Sequence, residues 1–137
     1  MASITVFSEV PGVAQNTWLA SSGWPSTSAH DTHMAGLPLR SVFVRRRPTG
    51  EVWTPELHAQ YPGRDWILSR ILWLSGCEPG RNRLHDVDTM RRYIYLHGTN
   101  HEDQLGRPVS HGCVRMRVPD VINLYRRVHI GTPVYIR

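Results

Sequence analysis

"DWILSRILWLSG", residues 65–76, decides how the rest of this chain is read. Its apolar side chains fall on both sides of a strict alternation, so it is either a central strand covered on both faces or a helix buried all round. The Ile, Trp and Leu content and the stop at Gly76 before "EPGRN" favour the strand. A strand covered on both faces needs partners along its edges and layers above and below it, so the neighbouring segments should supply more strands.

They do. "SITVFSEV", residues 3–10, places Ile4, Val6 and Val10 at period two, and "SVFV", residues 41–44, reads as a strand. "RRRPTGE" then reads as a turn, and "VWTP" from Val52 as the start of another strand. "RRYIYLHG", residues 91–98, is a strong strand ending at His97 and Gly98, and "TPVYIR" closes the chain as a last strand. Residues 20–38, "ASSGWPSTSAHDTHMAGLP", have no apolar period and read as a long loop or a poorly ordered segment. "PDVINLYRRVHIG", residues 119–131, spaces Val121, Leu124, Tyr125 and Val128 at helical intervals, with Pro119 in the first turn and Gly131 beyond the end. The sum is a mainly β, sandwich-like or barrel-like domain with one short helix before the last strand.

The chain of 137 residues holds one domain's worth of core. Two cysteines cannot make a disulfide scaffold, and a 40% hydrophobic content with five tryptophans excludes a disordered chain. All sixteen basic residues are arginine and the net charge is +5, which fits either an anionic partner or an arginine-rich solvated surface. "RRRP", residues 45–48, has no interleaved aromatics and no nucleic-acid-binding motif, so no nucleic-acid partner is expected. The opening residues lack a basic start followed by an apolar core, so no signal peptide is expected in this chain, and no apolar run is long enough for a membrane span.

The chemistry concentrates in "RPVSHGCVRM", residues 107–116. A thiol that attacks a carbonyl needs a base and donors for the oxyanion. Cys113 has His97 sixteen residues earlier at a strand end, room for one loop to return the chain to its neighbour. Gly112 permits close backbone approach, so its N–H and that of Cys113 can point at one oxygen. His111 and Arg115 supply positive character that should lower the thiol pKa and hold an anionic group, and Ser110 can fix the turn or an imidazole. Cys77, in "LSGCEPG", has no histidine beside it and reads as a packed or loop thiol, and His101 as a solvated loop residue.

Together, "HGTNHEDQLGRPVSHGCVRMRVPDVINLYRRVHIGTPVYIR", residues 97–137, resembles the catalytic end of the L,D-transpeptidase (YkuD-type) family, with its His-Gly, a loop, and Ser-His-Gly-Cys-[Ile/Val]-Arg-[Met/Leu]. The resemblance extends back through Asp65 to about Ser41. Family members usually carry a Thr-Pro-x-Gly turn where this chain has Thr32-His33-Met34-Ala35. Residues 1–40 are therefore expected to be a divergent or shortened part of the domain, and residues 41–137 the catalytic domain.

The resemblance implies a β-sandwich-like fold and peptidoglycan stem peptides as substrate. It implies an acyl-enzyme on Cys113 with release of D-alanine and transfer to an amine, with L,D-carboxypeptidase activity as a possible side reaction. Carried over, Cys113 is the nucleophile, and His97, oriented by the Gly98 carbonyl, is the general base. His111 lines the site, Gly112 and Cys113 face the oxyanion, and Arg115 holds the loop or a substrate carboxylate. Carbapenem-type inhibitors, a cell-envelope or periplasmic location and no cofactor or metal follow from the same likeness. Two rival readings stand beside it: a non-catalytic peptidoglycan-binding domain, and a zinc hydrolase using His97, His101, His111 and Cys113 as ligands.

Overall fold

Residues 67–76 form the spine of the molecule. The computed structural model describes residues 4–6, 16–21, 36–128 and 131–136, and these residues build eight strands joined in one sheet. In chain order they are β1 (Ile4–Val6), β2 (Asn16–Ser21), β3 (Ser41–Val44), β4 (Arg47–Val52), β5 (Ile67–Gly76), β6 (Tyr95–Gly98), β7 (Val114–Met116) and β8 (Pro133–Ile136). Helix α1 (Pro55–Gln60) follows β4, and α2 (Val118–Arg127) precedes β8. The architecture is mainly β with a short helix before the last strand, as the sequence predicts.

The sheet branches at β5. One end of β5 pairs with β3 (Val42 opposite Leu68) and the other with β2 (Leu19 opposite Ser75), while β6 runs antiparallel beside it (Leu72 opposite Leu96). Every residue from Leu68 to Leu74 is buried, which is the two-faced covering that its sequence demanded. The central cluster joins Ile71, Leu72, Leu74 and Leu96 to Tyr125 and Val128, so α2 closes one face. A smaller cluster of Val42, Trp66 and Leu68 packs under Trp53, Leu57 and Val118.

A bulge interrupts β5. Leu68 pairs with Gly98 and Ile71 with His97, so Ser69 and Arg70 are extra residues on one strand. Ser69 takes φ 76, a left-handed value unfavourable for a side-chain-bearing residue, and its hydroxyl donates to the Leu39 carbonyl. Arg70 is buried, with its guanidinium donating to Ser69 O at 2.5 Å and Leu37 O at 3.2 Å. These bonds tie the segment before β3 to the centre of the sheet.

Several elements differ from their sequence reading. Within residues 20–38, Ala20 and Ser21 belong to β2, while residues 22–35, Thr32 to Ala35 among them, and Val10 lie outside the described residues. The segment read as a turn, "RRRPTGE", contains most of β4, and the hairpin turn is only Arg45 and Arg46. "VWTP" leads into α1, because Thr54 Oγ1 accepts the Leu57 N–H at 3.1 Å and Pro55 occupies the first turn. The strand read over residues 91–98 is ordered as β6 only from Tyr95, since Tyr93 turns the chain with φ 55. Helix α2 begins at Val118 and ends at Arg127, because Val128 is already extended, so Gly131 does not cap it.

Truncating the spine should be costly. Leu74 is 0% exposed, so Leu74→Ala is expected to destabilise the fold by about 2–5 kcal/mol in urea titration, whereas Val52→Ala, at a position 43% exposed, should change it by less than about 1 kcal/mol.

Candidate active site

Strands β6 and β7 run parallel, with Leu96 opposite Val114, His97 opposite Arg115 and Gly98 opposite Met116. Alternation along each strand then puts Tyr95 and His97, with Cys113 and Arg115 beside them, on one side of the sheet. That side opens into a cleft of ≈ 280 Å³, which all four residues line together with Asp65, Ser110 and His111. Leu96 and Val114 face the opposite way into the core.

His97 is 2% exposed, and its Nδ1 lies 2.7 Å from the Gly98 carbonyl oxygen. A carbonyl can only accept, so Nδ1 carries the proton in this bond and Nε2 of the neutral ring is left as the acceptor. Gly98 is required by space: a Cβ there would meet Leu68 O at 2.7 Å. Burial pushes the His97 pKa below its ordinary value, with Arg115 in the same direction and the Gly98 bond and Asp65 opposing.

Cys113 is half-buried at the entry to β7, and its S–H donates to the Tyr93 carbonyl at 3.5 Å. Before it, the chain turns tightly. Ser110 Oγ donates to Cys113 O at 2.6 Å and accepts the Gly112 N–H at 3.4 Å. Gly112 has φ 139, a backbone conformation that favours glycine, and a Cβ on it would lie 2.7 Å from Ile94 Cδ1, the movable tip of that side chain. The expectation of a lowered thiol pKa is not met. Burial pushes the Cys113 thiol up, aided by Asp65, and the Tyr95 N–H and Arg115 only partly offset it. His111 is exposed, and Arg115 lies 3.5 Å from Asp65, which takes up part of its charge. The resting pair is therefore neutral thiol and neutral imidazole.

One wall of the cleft is the β3–β4 turn. Arg45 lines it, and the Arg46 guanidinium lies 4.3 Å from the Trp73 ring centroid, with Tyr93 stacked on Trp73 at 6.2 Å. Arg92 faces the cleft as well, so Arg45, Arg92 and Arg115 surround a space with Asp65 as the carboxylate. Arg45, Asp65, Arg92 and Tyr95 were not singled out in the sequence. Tyr95 was reachable, since it stands two residues before His97 on the same strand.

The four candidate zinc ligands do not converge. His101 packs against His58, ring centroids 5.8 Å apart, and among the described residues no three His, Cys, Asp or Glu side chains gather to hold a metal ion. Cys77 follows β5 as a half-buried free thiol and does not line the cleft. Burial also pushes its pKa up. No described helix is long and apolar enough to cross a membrane.

The L,D-transpeptidase catalytic domain model, YkuD, matches residues 15–136. The chain is 35% identical to the Probable L,D-transpeptidase YbiS of Escherichia coli K12 over 94 residues, 66% of this chain and 29% of that protein. It is 32% identical to the Probable L,D-transpeptidase ErfK/SrfK of Salmonella typhimurium over 95 residues, 68% of this chain and 30% of that protein. A Putative L,D-transpeptidase YqjB of Bacillus subtilis matches at 44% over 45 residues, 33% of this chain and 26% of that protein. The chain thus spans less than a third of the length of these curated relatives. No solved structure matches it. With a family match that runs from the start of the described β2 region to the end of β8, this chain belongs to the L,D-transpeptidase catalytic domain (YkuD) family.

Proposed function

We propose that this domain is a cysteine-dependent L,D-transpeptidase acting on peptidoglycan tetrapeptide stems in the cell envelope. The observation that carries the reading is the parallel register of β6 and β7, which sets Cys113 and His97 in one cleft with the Nε2 side of the imidazole unengaged. Residues 1–40 belong to this catalytic domain as its divergent opening part; the placement of β2 between β8 and β5 supports that.

In the first half-reaction, His97 Nε2 takes the Cys113 proton as sulfur attacks the carbonyl of the third stem residue. The N–H groups of Gly112 and Cys113 receive the oxyanion; that of Gly112 is held only at 3.4 Å by Ser110 and is easily surrendered. The C–N bond breaks, His97 returns the proton to the departing D-alanine amine, and the acyl group remains on sulfur. In the second half-reaction an amine, the diaminopimelate side chain of another stem, attacks the thioester and loses its proton to His97, restoring the thiol. Water in place of the amine gives carboxypeptidase activity. Arg45, Arg92 and Arg115 supply the positive wall that stem carboxylates require, with His111 at the rim.

Intact-protein mass spectrometry with a carbapenem tests the assignment. One covalent adduct is expected on the wild type and on Cys77→Ala, and none on Cys113→Ala; an adduct that persists on Cys113→Ala places the nucleophile elsewhere.

The directions of the two pKa shifts set the pH dependence. His97 stays neutral, and so able to accept a proton, until the pH falls below its ordinary value of 6.5, so acylation should be lost only on the acid side of that value. Cys113 stays a thiol until the pH exceeds its ordinary value of 9.0, so between these limits the rate depends on transfer to His97 and should be nearly flat. His97→Ala should slow carbapenem acylation about a hundredfold or more at neutral pH and leave a rate that climbs only in alkali. Second-order acylation rates against pH for both proteins check this, and His101→Ala should follow the wild type.

A further inference from the structure

Tyr93 holds a backbone conformation that its side chain disfavours. Its φ is 55, in the left-handed region that glycine and asparagine enter readily and an aromatic residue does not, and such outliers persist only where their surroundings hold them. The residue is 44% exposed, so burial is not what holds it. Directed contacts do. Its ring lies nearly parallel to that of Trp73, with 6° between the planes and 6.2 Å between centroids. The Arg46 guanidinium reaches both rings, 4.3 Å from the Trp73 centroid and 5.8 Å from that of Tyr93. The Met90 carbonyl accepts the Tyr93 N–H at 3.1 Å and the Trp73 Nε1–H at 3.0 Å, which pins the backbone of one stacked residue and the indole of the other to a single atom.

The conformation delivers a carbonyl to the cleft. Tyr93 O accepts the Cys113 S–H at 3.5 Å, from a residue 20 positions further along the chain. We propose that Tyr93 is a positioning residue for Cys113: the grip of Trp73 and Arg46 on its ring holds its backbone left-handed, and the left-handed backbone aims its carbonyl at the thiol. This rests on the reading of Cys113 as the nucleophile.

The bond fixes the direction of the thiol before a substrate arrives. It is surrendered when the proton passes to His97, because a thiolate has nothing to donate. An acceptor that engages only the protonated form favours that form, so loss of the bond makes Cys113 easier to ionise. The cleft's other charged and titratable groups, Arg45, Asp65, Arg92, Tyr95, His97, His111 and Arg115, are common to all the variants compared.

The test uses the whole chain carrying Cys77→Ala, so that iodoacetamide reads Cys113 alone, and follows the pH midpoint of alkylation. Tyr93→Phe keeps the stack and should keep the parent midpoint. Tyr93→Ala loses the ring and resists the left-handed region, so its carbonyl turns away and the midpoint should fall by about half a pH unit. Tyr93→Gly uncovers Cys113 as alanine does but enters the left-handed region freely, so its midpoint should stay closer to the parent's. That comparison separates the aim of the carbonyl from the cover given by the ring. Tyr93→Ser, which carries the same backbone penalty as alanine, repeats the measurement independently. A Tyr93→Ala midpoint at or above the parent's, one matched by Tyr93→Gly, or a shift in Tyr93→Phe overturns the proposal. Carbapenem acylation of the parent is measured alongside. Its absence with the midpoints ordered as expected would overturn the transpeptidase reading and leave the hold of Tyr93 on Cys113 standing, whereas an acylated parent with superimposed midpoints would overturn only that hold.

Discussion

The parallel pairing of Tyr95–Gly98 with Val114–Met116 is the constraint on which the site depends. Two parallel strands cannot be joined by a hairpin, so the chain leaves β6 at Gly98, travels the length of the pair, and enters β7 from the end where β6 also begins. Cys113 is the residue at that entry. It arrives next to the start of β6 and not next to its end, with His97 two residues further along the neighbour. The connecting segment has only a single 3-10 turn, Glu102–Gln104, and finishes in the tight Ser110–Cys113 turn that favours glycine at 112. Strand direction, loop length and a glycine together bring Cys113 and His97 to the lining of one cleft.

β5 makes that arrangement rigid and also sets its electrostatics. A strand buried on both faces from Leu68 to Leu74 holds β6 by antiparallel hydrogen bonds and offers α2 an apolar face. The bulge at Ser69 and Arg70 shifts the β5–β6 register, so that His97 pairs with Ile71 while Gly98 pairs with Leu68. Gly98 must then pass within van der Waals range of the Leu68 carbonyl, which excludes any side chain there. The same dense packing removes water from His97 and Cys113. Burial disfavours the charged form of each group, so it drives the thiol up and the imidazole down. Both shifts favour the neutral form of each group.

The cleft has a second electrostatic layer at larger distance. Arg45 and Arg92 flank it, Arg46 is clamped over Trp73, and Tyr93 stacks on the same indole. These contacts hold the β3–β4 turn against the site and position the Tyr93 carbonyl that receives the Cys113 S–H. The overall excess of arginine thus has a local counterpart at the cleft.

What the sequence by itself determined was local and chemical. The two-sided apolar run of residues 65–76 could only be a covered element, the period of residues 119–128 could only be an amphipathic helix, and the Ser110–Arg115 string beside His97 carried the family likeness. Local signals also existed for α1, in Thr54 followed by Pro55, and for Tyr95, in its two-residue spacing from His97. Three features needed the tertiary structure: the short strand Asn16–Ser21, the parallel sense of β6 and β7, and the raised pKa of Cys113. Each depends on residues distant in the chain. A short strand is held by the backbones of the neighbours on both its edges, strand direction is set by how the connection packs, and a thiol's ionisation answers to the water excluded around it more than to the His111 and Arg115 written beside it.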